Sequence, residues 1–313
     1  MRPFGHPHNE ERTARCLTRM FNDIATARHH CITIDNAPTM QAAIRKVNVE
    51  RQQLGKEHIL EMRCFAHIIN IIVQAGLVHV EQTCQKIRVL AQKLAASTQL
   101  TQEYRDCFKE LNMCSIRRDV KTRWNSTYFM LSTYLKRLSE INLFFTNSED
   151  EDIGILQLSS QELIHVRTLC DILKVFYNAT NTVSSSSPSI GPGVVMFAEI
   201  ERQLNVHIEN NQNRLFVLDM VTSMKSKHSS YHDQLYNFTT YAATLLDPRF
   251  KTRLMPLKLR NGGFREQFKA YYVSYKLSFE DSGEDPPILS ENPICDIEYP
   301  PPKLSRCSNF IYC

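Results

Sequence analysis

The feature that most constrains this chain is a change of period. Beyond residue 78 apolar residues recur only at helical spacing. Val80, Cys84, Ile87, Ala91 and Leu94 form one stripe, and Leu131, Tyr134, Leu135, Leu138, Ile141 and Phe145 form another. Steps of three and four residues put such side chains on one helix face. Before residue 78 the pattern differs. The β-branched run Cys31-Ile32-Thr33-Ile34 predicts a short buried strand ending at Asp35-Asn36, and residues 59–63 predict a second. Helices are expected over 11–27, over 37–47 with Pro38 in the first turn, and from Cys64 to about 77 with Ile68, Ile71, Ile72 and Ala75 inward. The order strand, helix, strand, helix argues for an α/β unit at the amino end, joined to a long helical segment.

Further along, Ser159 and Glu162 have the spacing of a capping box and open a helix carrying Leu163, Val166, Leu169, Leu173 and Phe176. Ser184–Ser187, Pro188, Gly191 and Pro192 read as a linker. Phe197, Ile200, Leu204 and Ile208 mark another helix, and Leu215, Leu218 and Val221 a further one. Residues 241–251 read as partly buried, with a stop at Asp247-Pro248 and Phe250 as a core plug. Residues 280–306, with Pro300-Pro301-Pro302, read as a disordered tail.

Composition narrows the function little. A formal net charge of +4 over 313 residues does not announce a nucleic-acid protein, so any such role must come from a local run. No apolar run approaches the ~20 residues that span a bilayer, and the amino end does not read as a secretory signal. The ten cysteines are scattered without a CxxC pair, which reads as reduced thiols inside a cell.

Three places could carry chemistry. Asp35 sits at the carboxyl end of a strand just before a helix, where open α/β sheets build sites. It suits a Mg²⁺ or Mn²⁺ ligand, or a cap for the next helix. Cys64 and His67 share a helix face and make half a zinc site, or a buried thiol beside a hydrogen-bonded imidazole. Arg117, Arg118, Lys121 and Arg123 give four positive charges in seven residues, ahead of Trp124, the single tryptophan, and Asn125. Such a run binds phosphates by releasing counterions, without reading sequence. The alternative is that Arg123 and Trp124 anchor the following helix to the core, with Asn125 or Ser126 capping it.

Four islands in order carry a resemblance: Ile32-Thr33-Ile34-Asp35-Asn36-Ala37, Cys64-Phe65-Ala66-His67-Ile68-Ile69-Asn70, Asp119 through Thr127, and Leu246-Asp247-Pro248-Arg249-Phe250-Lys251. Over about residues 8–255 the chain resembles hAT transposases and their zinc-finger BED domain-containing relatives. The resemblance implies an α/β plus α fold: a partial ribonuclease-H-like domain with a large helical insertion. The implied division is a partial core over 1–77, the insertion over 78–240, a return toward the core over 241–279 and the tail over 280–313.

The family cuts DNA with two aspartates and a glutamate that hold divalent metals. Asp35 matches the second aspartate. The first belongs on an upstream strand, the glutamate near a dimerisation segment for which nothing after Lys251 matches, and the BED finger has no match either. Asp23, Glu61 and Glu199 are other carboxylates, without the family's motifs around them. The resemblance therefore implies a transposase-derived, catalytically incomplete nuclear protein. It implies no cofactor here, Mg or Mn in intact relatives, and DNA as partner. DNA would be held by Arg117, Arg118, Lys121, Arg123 and Asn125, with Trp124 stacking on a flipped-out base and His67 near a transposon end. The competing expectation is a domesticated protein-interaction or transcription-regulatory module that binds protein partners, full-length transposase relatives among them, and does not touch DNA. A transposon relic with an exposed sheet edge is a further reading. No membrane role is expected.

Overall fold

The computed structural model describes residues 9–23, 31–35, 37–56, 58–108, 116–120, 123–184, 190–212 and 214–280. The tail expected over 280–313 lies outside them from residue 281 on, as does Lys121. Two parallel strands, β1 (Cys31–Ile34) and β2 (Leu60–Arg63), pair in register from Cys31 opposite Leu60 to Ile34 opposite Arg63. Parallel strands need a crossover, supplied by α2 (Pro38–Gln53), which packs on α1 (Glu10–Asp23). Pro38 opens α2, where its missing N–H costs nothing. Ala14, Leu17, Ile34, Ala43, Ile44, Val47 and Ile59 make a small core of their own here.

β1 was expected to be buried, and it is not. Only Ile34 is sealed, while Cys31 and Thr33 are exposed. The described sheet has just two strands, so among the described residues each pairs along one edge only and the run's apolar character is only half used.

From α3 (Phe65–Leu77) onward the described chain is helical. The helices are α4 (Glu81–Ala96), α5 (Thr98–Asp106), α6 (Trp124–Lys136), α7 (Leu138–Asn147), α8 (Glu151–Gly154), α9 (Ser160–Val183), α10 (Ile190–Asn210), α11 (Leu215–Ser229), α12 (His232–Leu235), α13 (Phe238–Leu246), α14 (Leu257–Arg260) and α15 (Phe264–Glu280). α3 packs on α11 and α9 and sends Ile68, Ile69, Ile72 and Val73 into the large helical core. It faces inward about one residue off the expected stripe, with Ile71 and Ala75 only half-buried. The helix grouped by sequence with the strands is therefore packed with the helices that follow it.

The first stripe is buried as expected, at Val80 just before α4 and at Cys84, Ile87, Ala91 and Leu94 within it. The next stripe belongs to two helices that break at Arg137. The capping box is formed on α9: Ser159 accepts from the Glu162 N–H, and Glu162 accepts from the Ser159 N–H at 2.8 Å.

The linker reading fails over its last residues. Gly191, Pro192 and Gly193 are buried in the first turn of α10. Proline is tolerated there because the first turn's N–H groups have no helical partner, and a Cβ on Gly193 would lie 2.4 Å from the Phe65 ring. Gly193 thus leaves room for the Phe65 ring, and Gly191 for the Phe250 ring. Phe250 is buried, as expected of a plug, and Asp247 is bidentate to Arg249 at 2.9 and 2.7 Å. α15 had no counterpart in the sequence reading.

Candidate functional site: a clamped basic segment and a histidine–glutamate cluster

The segment ahead of α6 is held from within. Asp119 accepts from Arg88 of α4 at 2.8–3.0 Å through both oxygens and from Thr127 at 2.9 Å. The side chains of Arg88 and Asp119 are only 9% and 4% exposed. Arg88 also reaches Glu81 at 2.7 Å. Burial pushes the Asp119 carboxyl up, but the hydrogen bonds from Arg88 and Thr127 outweigh it and hold the group below the usual carboxylate range. Ser126 adds a second tie, accepting from the Val120 N–H at 2.7 Å.

Trp124 is the third tie, 3% exposed and edge-on to Phe176 at 6.5 Å. The indole that the resemblance would stack on a base is packed here into the helical core. Asn125 is half-buried, and its Oδ1 is enclosed without a hydrogen-bond partner. With Asp119 and Trp124 inside, Arg117, Arg118 and Arg123 are left exposed.

Asp35 is exposed at the end of β1, and its Oδ1 accepts from the Ala37 N–H at 3.0 Å. The carboxylate thus stabilises the turn into α2. Two-metal chemistry needs several carboxylates converging on the ions. Among the described residues, Asp35 belongs to no group of three His, Cys, Asp or Glu side chains able to hold a metal, so the described residues around it do not supply the further carboxylates such a pair of ions needs. Cys64 and His67, both half-buried at the start of α3, belong to no such group either.

One such group does exist among the described residues, and the sequence reading missed it. Glu201 of α10, His228 of α11 and His232 of α12 each offer a ligand atom, all within 4.8 Å of one another. The signal was the four-residue step from His228 to His232, which spans the end of α11 and the start of α12. His228 is fully buried, its ring flat on Phe197 at 3.7 Å. Burial pulls its pKa down to about 4, against the opposing hydrogen bond to the Phe197 carbonyl. Lys258 of α14 reaches Glu201 at 2.8 Å and the His232 ring nitrogens at 3.1 and 3.3 Å.

Two family models match. The ZBED1 RNase-like helical domain covers residues 62–172, and the hAT-like transposase, RNase-H fold, covers 195–277. The chain is an hAT/BED family protein. A protein designated an AC transposase in Zea mays is 24% identical over 262 residues, 80% of this chain and 31% of that protein. The zinc finger BED domain-containing protein RICESLEEPER 1 of Oryza sativa subsp. japonica is also 24% identical over 262 residues, 80% of this chain and 35% of that protein. The hAT/BED chain thus spans about a third of the length of these curated relatives.

The clamped arginines of this hAT/BED chain lie inside the first matched stretch. The histidine–glutamate cluster and Lys258 lie inside the second, where the described residues from Val195 to Leu277 are helices and turns. Among the described residues no helix is long and apolar enough to cross a membrane.

Proposed function

We propose that this chain is the DNA-associated part of a transposase-derived nuclear protein, catalytically incomplete in itself, built on a partial ribonuclease-H-like fold with a helical insertion. It holds DNA through phosphate contacts from Arg117, Arg118 and Arg123, with Lys121 of the same run and His67 as further candidates. The observation that carries the reading is the clamp. A short segment fixed from beneath by Asp119 and Trp124 presents three exposed guanidinium groups at little cost in ordering. Arginine suits phosphate oxygens through its planar fork. What supports the nuclear, DNA-associated setting is membership of the hAT/BED family. What supports catalytic incompleteness is the use of Asp35 in a local turn, with no group of metal ligands about it among the described residues.

The test is fluorescence anisotropy of labelled duplexes of unrelated sequence, titrated with the full chain over a range of salt. Three phosphate contacts predict a log K against log salt slope of roughly −3. The triple variant R117Q/R118Q/R123Q should bind weakly and lose most of that slope. A folded triple variant with unchanged affinity and slope defeats the proposal. Mg²⁺- or Mn²⁺-dependent nicking abolished by Asp35→Asn would overturn the incompleteness.

A second reading, a protein-interaction module, has its own observation. α15 exposes Tyr271, Tyr272, Val273, Tyr275 and Leu277, an apolar concentration of the kind that marks contact surfaces. Absence of any duplex binding at low salt would favour it.

A further inference from the structure

The cluster of Glu201, His228 and His232 is arranged as a ligand set. Two imidazoles and one carboxylate are donors that zinc accepts, and a three-residue set leaves a fourth position for water or another ligand. Magnesium and calcium prefer all-oxygen shells, so the two imidazoles argue against them.

His228 is already prepared. Its Nε2 lies 2.8 Å from the Phe197 carbonyl, which can only accept, so Nε2 carries the proton. The other nitrogen, Nδ1, is then unprotonated, and it is buried without a hydrogen-bond partner. A backbone carbonyl that fixes the tautomer of a ligating histidine is the usual outer support of a metal site. An enclosed imidazole lone pair with nothing to accept from is costly unless something binds it.

The spacing also suits an ion. Zinc bonds near 2.0–2.2 Å put tetrahedral ligand atoms roughly 3.3–3.6 Å apart, and His232 Nε2 already lies 3.5 Å from Glu201 Oε1. The limit of 4.8 Å over the whole set asks for a closure of no more than roughly 1.5 Å by rotamer adjustment. A cation already sits beside the set. The Lys258 ammonium contacts Glu201 and His232, and its side chain is 48% exposed, so it can withdraw to solvent.

We propose that Glu201, His228 and His232 form a binding site for a zinc-class divalent metal, with the Lys258 ammonium standing in for the ion until the metal displaces it. The site joins α10, α11 and α12, so an ion there cross-links three helices within the stretch that matches the hAT-like transposase. It needs neither Asp35 nor any DNA contact.

The experiment is a Co²⁺ titration of the metal-stripped full chain, followed by displacement with Zn²⁺. The expected result is one equivalent of Co²⁺ with a visible spectrum lacking the thiolate charge-transfer bands that cysteine ligation gives. Lys258→Met, which removes the competing cation, should tighten binding by about tenfold. His232→Gln and Glu201→Gln, at partly exposed positions, should each weaken it by at least roughly 100-fold, as loss of a direct ligand exceeds loss of an outer support, with helix content unchanged. Glu201→Gln serves if His232→Gln fails to fold. The proposal is overturned if neither the parent nor Lys258→Met takes up Co²⁺, if a folded ligand variant binds as the parent does, or if the spectrum reports only cysteine ligation.

Discussion

Replacing Asp119 by alanine should be among the most damaging single changes to the basic segment. The substitution leaves the Arg88 guanidinium, whose side chain is 9% exposed, facing the space its bidentate partner filled. Breaking a buried pair from one side costs about 3–5 kcal/mol, because the remaining charge is left without compensation. Arg88 keeps Glu81, but that side chain is 47% exposed and its charge is screened by water. The lower end, about 3 kcal/mol, is therefore expected, a shift of more than 100-fold in the folding equilibrium.

The pH dependence fixes the cause. The folded Asp119 carboxyl lies below its ordinary value, so its stabilisation is fully present above the unfolded value of about 3.9 and fades as pH falls through the folded one. Urea unfolding of parent and Asp119→Ala at pH 7 and pH 3 measures both effects. The double variant Arg88→Met with Asp119→Leu should recover most of the loss, since an apolar pair is often as stable as a buried ionic one. A loss under about 1 kcal/mol at pH 7, or a gap that does not narrow at pH 3, refutes the clamp.

Trp124→Ala should destabilise the fold by about 3–5 kcal/mol, whereas Trp124→Phe should cost less and keep duplex affinity; anisotropy on the folded Phe variant separates core anchoring from base stacking. Gly193→Ala should cost about 1–3 kcal/mol by driving a methyl into the Phe65 ring, and thermal melting should show Phe65→Leu relieving it.

What could be read from sequence depended on whether the signal was local. The stripe of α4 and the capping box of α9 arise from spacing within one turn or one helix, and both are formed. β1 was found from its β-branched run, but its exposure was not, because burial of a strand depends on what covers it. Gly191 and Pro192 read as breakers because composition does not reveal that a helix start needs small residues under a neighbouring ring. Trp124 was open to two roles, since a tryptophan beside arginines serves equally as anchor or platform, and its packing against Phe176 is a long-range contact that spacing does not reveal. The metal-capable cluster draws on three helices separated by up to 31 residues, so its histidine pair was visible and its glutamate was not.

Among the described residues there are three apolar clusters, and two of them contrast sharply in size. One is a handful of residues beneath the strand pair, the other a continuous interior shared by most of the helices. Resistance to local opening scales with such contacts. Under heat or mechanical load the region bearing Asp35 should therefore loosen first, while the scaffold beneath the arginines stays shut; the molecule would yield in stages, its strand end first.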